Sequence, residues 1–110
     1  MIVTLKGQAQ NSQSSAAGTY VLEPKPENGK SHWLQYNGSN AIWYNSKYGG
    51  WTIGPQDDLG TSDEALIYSG DDVAGPQVAT TWQYFDGALD MWITSKNILV
   101  DTFVEKGTYK

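Results

Sequence analysis

The sequence predicts an all-β domain, a compact antiparallel β-sandwich or small barrel of about seven to nine strands built from hairpins. Three observations predict it. No stretch of roughly eleven residues or more places apolar side chains at the i, i+3, i+4, i+7 spacing of an amphipathic helix. Short β-branched and aromatic runs recur instead, punctuated by 12 glycines. The length of 110 residues suffices for one buried core and is too small for two domains.

Strands are expected near residues 2–6, 19–22, 31–36, 41–44, 51–54, 65–69, 80–85, 89–94 and 98–104. Residues 8–17, rich in Gln, Ser, Asn and Ala, read as a solvated loop. Residues 24–29 form a turn from two prolines of fixed φ and a permissive glycine. Asn37-Gly38, between two aromatic runs, signals a two-residue type I′ hairpin. That register sets Leu34 against Ala41, Trp33 against Ile42 and His32 against Trp43. Opposed residues share a face, and a slip of one residue inverts every side chain. Trp33, Ile42 and Tyr44 therefore share one face, and His32, Leu34 and Trp43 the other.

A next turn centred on Tyr48-Gly49 sets Tyr44 against Ile53 and Ser46 against Trp51, which gathers Trp33, Ile42, Tyr44, Trp51 and Ile53 into a core. A three-residue turn would reverse the Trp51 strand. Residues 55–60 and 70–76 are loops. Asp86-Gly87 gives a third hairpin that pairs Thr80 with Ile93, Trp82 with Met91 and Tyr84 with Leu89 on an apolar face. Gln83, Phe85, Ala88, Asp90 and Trp92 fall on the opposite face. The tryptophans thus divide: Trp33, Trp51 and Trp82 point inward, Trp43 and Trp92 outward.

Composition excludes several functions. The chain has 7 Lys and no Arg against 12 acidic residues, a net charge of -5, so it lacks the basic stripe of a nucleic-acid binder. Without cysteine there are no disulfides, thiolate metal sites or cysteine nucleophiles. No apolar run approaches the roughly 20 residues of a membrane span, and the Met1 to Leu5 run is too short for a signal peptide's apolar region, so membrane insertion is not expected. An extracellular or cell-surface location is expected from the surface chemistry that follows.

An outward Trp43, with His32 across and Gly54 leaving room beside it, is a platform for a sugar ring. The axial C–H groups of a sugar stack on indole while amides and carboxylates bind its hydroxyls. Trp92, with Gln83, Asp90 and Thr81, repeats the combination. The candidate ligand-binding set is therefore Trp43, Trp92, His32, Gln83 and Asp90. The alternative is that both indoles pack under a loop or a second sheet. Asp57, Asp58, Asp63, Glu64, Asp71 and Asp72 make an acidic segment that calcium would suit, but their spacing matches no EF-hand loop and a solvated acidic face explains them more simply. No other cofactor is implied. With one histidine and no nucleophile elbow among the serines, no triad is formed, and Asp86, a turn residue, leaves Asp90 without a partner for glycosidase chemistry. No enzyme is expected.

Gly18-Thr19-Tyr20, Asn28-Gly29-Lys30 leading to Trp33, Ile42-Trp43-Tyr44, Gly50-Trp51-Thr52-Ile53-Gly54, Ile67-Tyr68-Ser69, Pro76 and Trp82 together resemble a known module. It is the small Trp/Tyr-rich β repeat of uncharacterised multidomain proteins in marine and unicellular eukaryotes, and the likeness spans residues 2–93. The resemblance implies a binding or assembly module rather than an enzyme. Gly49 to Gly54 and Ser69-Gly70-Asp71-Asp72 are also similar to stretches of a cyanobacterial mannose-binding lectin type, which implies glycan binding by analogy. Two functions follow. One is a non-enzymatic, lectin-like carbohydrate-binding domain. The other is a structural assembly protein whose aromatic faces and apolar strand 98–104 contact other copies in a matrix or filament.

Overall fold

A computed structural model describes residues 1–61 and 65–102. Its strands are β1 (Ile2–Leu5), β2 (Gly18–Leu22), β3 (Trp33–Gln35), β4 (Asn40–Asn45), β5 (Gly50–Pro55), β6 (Ile67–Ser69), β7 (Trp82–Asp86), β8 (Met91–Ser95) and β9 (Ile98–Asp101). They form one sheet in the order β8-β7-β6-β5-β4-β3-β2-β1-β9, every pair antiparallel. The first eight strands are a meander. β9 departs from it: only Lys96 and Asn97 separate it from β8, yet it pairs with β1 at the far edge.

The alternation of directions makes β8 and β9 run the same way. Residues 91–101 are therefore one ribbon, bent at Lys96-Asn97, whose first half pairs with β7 and whose second half pairs with β1. The bend is held by the Asn97 N–H donating to Ser95 Oγ (3.0 Å) and the Lys6 N–H donating to the Asn97 carbonyl (3.0 Å). A ribbon shared in this way curls the sheet into a nearly closed barrel, which removes most of the unpaired edge.

Period-2 alternation fills the interior with Val3, Leu5, Tyr20, Ile42, Trp51, Ile53, Ile67, Trp82, Tyr84, Ile98 and Val100. Ile98 and Val100 point inward, so β9 closes the domain, while Leu99 faces out. The rest of the expected 98–104 strand, from Phe103 on, lies outside the described residues. Trp51 and Trp82 are buried and Trp33 is half-buried against the core, with the Trp33 and Trp51 ring centres 6.0 Å apart.

Three expectations need correction. The 37–38 hairpin has the expected register, Trp33 opposite Ile42 and Leu34 opposite Ala41, but Asn37 alone takes a positive φ (55°), so the turn is not type I′. In the next two hairpins the turns are longer: Tyr44 faces Trp51 rather than Ile53, and Tyr84 faces Ile93 rather than Leu89. Both offsets move the partner by an even number of residues, so each side chain keeps its expected face.

The third correction concerns residues 8–17. They hold a helix, α1 (Gly7–Ser12), and a 3₁₀ turn at Ser14–Ala16, with Ala9 and Ala16 buried. This segment lies across one end of the barrel. Gln13 Nε2 donates to the Phe85 carbonyl (2.7 Å), Gln35 Nε2 and Asn40 Nδ2 to the Ser15 carbonyl (2.8 and 2.9 Å), and the Tyr20 hydroxyl to the Ala16 carbonyl (2.7 Å). Burial raises the Tyr20 phenol well above its ordinary pKa, partly offset by Asn40, so it remains a donor. At the opposite end the β6–β7 loop accepts the Trp51 indole N–H at the Val73 carbonyl (3.0 Å) and the Tyr44 hydroxyl at Asp72 (2.9 Å).

Candidate functional site

The outer face of the sheet carries one row that crosses five strands. Trp43 faces Thr52, Thr52 faces Tyr68, Tyr68 faces Gln83 and Gln83 faces Thr94. The row is closed over at one end and open at the other.

At the covered end Trp43 is 0% exposed, and its indole N–H donates to the Thr61 carbonyl (3.1 Å). The β5–β6 loop meets it at Thr61. Asn28 Nδ2 ties this loop to the β2–β3 loop by donating to the Tyr44 carbonyl (2.9 Å) and the Gly60 carbonyl (3.4 Å). His32 is 5% exposed, precedes β3, and is not laddered to Trp43. Its Nδ1 is buried and has no hydrogen-bond partner among the described residues, beside a cleft of about 360 Å³ lined by Glu23, Lys25, Glu27, two prolines and Leu59. Trp43 and His32 therefore leave the exposed site the sequence predicts. The physical reason is that Leu34, Ala41, Trp43 and Gly54 make this part of the outer face apolar, and a loop drawn over it removes that area from water.

The open end keeps the expected geometry. Trp92 is 40% exposed, on the same face as Gln83 and Thr94. It lies directly across from Phe85, ring centres 5.6 Å apart and planes at 66°. A second pair stands beyond Gln83: Tyr48, from the β4–β5 turn, meets Tyr68 edge-on at 6.3 Å and 78°. The Tyr68 hydroxyl donates to the Tyr48 carbonyl (3.2 Å), and burial, with Tyr48 adding to it, raises its pKa. Lys47 Nζ stands 5.3 Å over the Tyr48 ring. Asp90 is exposed at φ 54° in the β7–β8 turn, two residues before Trp92 and off the strand ladder. The surface strip is thus two aromatic pairs flanking an amide, with the exposed Thr94 hydroxyl beside it.

Of the predicted set, Trp92 and Gln83 are brought together, Asp90 is placed nearby, and Trp43 and His32 are not part of the surface. Tyr68 and Tyr48 went unassigned. Tyr68 could have been found, since it alternates with the core residue Ile67; Tyr48 lies in a turn, where no periodicity points.

The acidic segment is dispersed. Asp57 and Asp58 lie on a 3₁₀ turn that follows β5, and Asp71 and Asp72 follow β6 at the opposite end of these antiparallel strands, about 20 Å away along the six residues of β5. Asp71 already accepts the Thr80 and Thr81 N–H groups (2.8 and 3.0 Å), and Asp72 the Tyr44 hydroxyl. Asp63 and Glu64 lie outside the described residues, and among the described ones no cluster of three or more acidic or histidine side chains is arranged to hold a metal ion. Asp86 is a turn residue, its carboxylate accepting the Ala88 and Leu89 N–H groups (3.0 and 3.2 Å). A separate apolar groove of about 440 Å³ runs beside β2, lined by Met1, Val21, Leu22, Trp33 and Thr102 among others. No helix among the described residues is long and apolar enough to cross a membrane. Compared with known proteins, the chain matches no family model, no curated protein and no solved structure.

Proposed function

We propose that the chain is a non-enzymatic recognition module that binds carbohydrate on the outer face of β6, β7 and β8, in an extracellular or cell-surface setting. The observation that supports this reading is the strip itself: an exposed indole against Phe85, a tyrosine pair, and Gln83 between them. Aromatic rings take the apolar faces of sugars, and an amide offers both donor and acceptor to the hydroxyls. The resemblance to a recurrent Trp/Tyr-rich repeat implies a binding or assembly module, with which this reading agrees.

A glycan array followed by tryptophan-fluorescence titration tests it. Trp43, Trp51 and Trp82 are sealed from solvent, so a ligand on the strip changes mainly the Trp92 emission. Trp92→Ala is expected to weaken binding by about tenfold or more, or about 1.4 kcal/mol. An array without a binder, or a Trp92→Ala protein that binds as before, overturns the reading.

A second reading, association between copies, draws on the groove beside β2, where Val21 and Leu22 are exposed. Light scattering on a sizing column separates the two: an oligomer dispersed by Leu22→Asp supports association, and a monomer at all concentrations removes it.

A further inference from the structure

We infer that the ligand of the strip is an extended, uncharged polysaccharide gripped along its interior; this rests on the carbohydrate reading above and narrows it. The first argument is reach. Tyr68 lies on β6 and Trp92 on β8, two strand spacings or about 10 Å apart. Trp92 is also two residues along β8 from the row of Tyr68, Gln83 and Thr94, a further displacement of about 7 Å. The two aromatic pairs are thus set apart on a diagonal of about 12 Å, with Gln83 between. A single sugar ring covers one pair. A chain of several rings covers both and lays intermediate hydroxyls on the Gln83 amide and the Thr94 hydroxyl.

The second argument is shape. The strip lies on a sheet face that begins at the Tyr48 turn and runs out to β8, and neither of the two concavities described above includes any of its residues. A chain laid along this face enters at one side and leaves at the other.

Charge supplies the third. Tyr48, Tyr68, Gln83, Phe85, Trp92 and Thr94 are all uncharged, Lys47 over the Tyr48 ring is matched by the exposed Asp90 two residues before Trp92, and the protein carries a net charge of -5. An acidic polysaccharide meets the repulsion of that net charge on approach, while a neutral one does not. Sugars with equatorial hydroxyls, which present apolar ring faces, suit aromatic pairs spaced in this manner; β-linked glucans and xylans are of this class.

Isothermal titration of the full chain with neutral cello- and xylo-oligosaccharides, from monosaccharide to hexasaccharide, tests the inference, with the matching polymers and polygalacturonate alongside. Affinity is expected to rise about tenfold or more from disaccharide to hexasaccharide, to be unchanged when the chain ends are chemically capped, and to be absent for polygalacturonate. Trp92→Ala and Gln83→Ala each remove most of the gain with length. Tyr36→Ala, which truncates an exposed aromatic next to the β3–β4 turn, leaves it intact. Equal affinity for short and long ligands, dependence on a free chain end, or preference for polygalacturonate overturns this inference and leaves the carbohydrate reading standing. A failure to bind any glycan, on the array as well as in this series, overturns both.

Discussion

Trp43 and Trp92 occupy outward positions in their hairpins and have opposite fates. Truncating Trp43 empties a sealed site and breaks its bond to Thr61, so Trp43→Ala should cost about 3–5 kcal/mol in urea denaturation. Trp92→Ala, which removes an exposed ring and one edge contact with Phe85, should cost no more than about 1.5 kcal/mol. The outward phase of both indoles was legible from the strand period. Exposure was not, because the loop that covers Trp43 has no periodicity and reaches it through a backbone carbonyl, which any residue supplies. Asp71 carries a prediction of its own. Its bonds from the Thr80 and Thr81 N–H groups hold its carboxyl below the ordinary value of 3.8, so its contribution is present above that pH and lost as pH falls through the folded value. Asp71→Asn should lower the denaturation midpoint at pH 7, and its deficit relative to the wild type should shrink below about pH 4.

At the scale of elements, hairpin registers were readable only modulo two. Turn lengths differ from the expected ones around residues 46–49 and 87–90, but the faces survive because each register moves by an even step. The helix over residues 7–12 left no comparable trace. It is six residues long, its N-cap Lys6 makes no side-chain cap, and two buried alanines, Ala9 and Ala16, are too few to form an apolar stripe. Tertiary bonds hold this segment in place. Gln35→Ala removes the donor to the Ser15 and Ala17 carbonyls and the acceptor for the Asn40 N–H; it should cost about 1–3 kcal/mol and speed hydrogen exchange around Ala16. Gly50 marks a close approach between strands: a Cβ there would stand 2.9 Å from Gly70 Cα, against backbone that no side-chain rotation can clear. Gly50→Ala should cost about 1–3 kcal/mol by thermal or chemical denaturation.

For the whole molecule, the all-β class and the inward set followed from alternation, whereas barrel closure was hidden. Nothing local in Ser95-Lys96-Asn97-Ile98 announces that the ribbon changes partner there, because the partner is β1 at the other end of the chain. Deleting residues 97–110 strips Ile98 and Val100 from the core and leaves β1 unpaired on one side, so the truncated chain should lose its dispersed amide NMR spectrum. During synthesis Ile2 to Leu5 must wait for all the intervening strands to emerge before Ile98 to Asp101 arrive to pair with them. A ribosome-tethered chain with residues 98–101 still inside the exit tunnel carries a complete meander and an unlatched ring, so the emergence of that one short strand is when the barrel becomes a stable object.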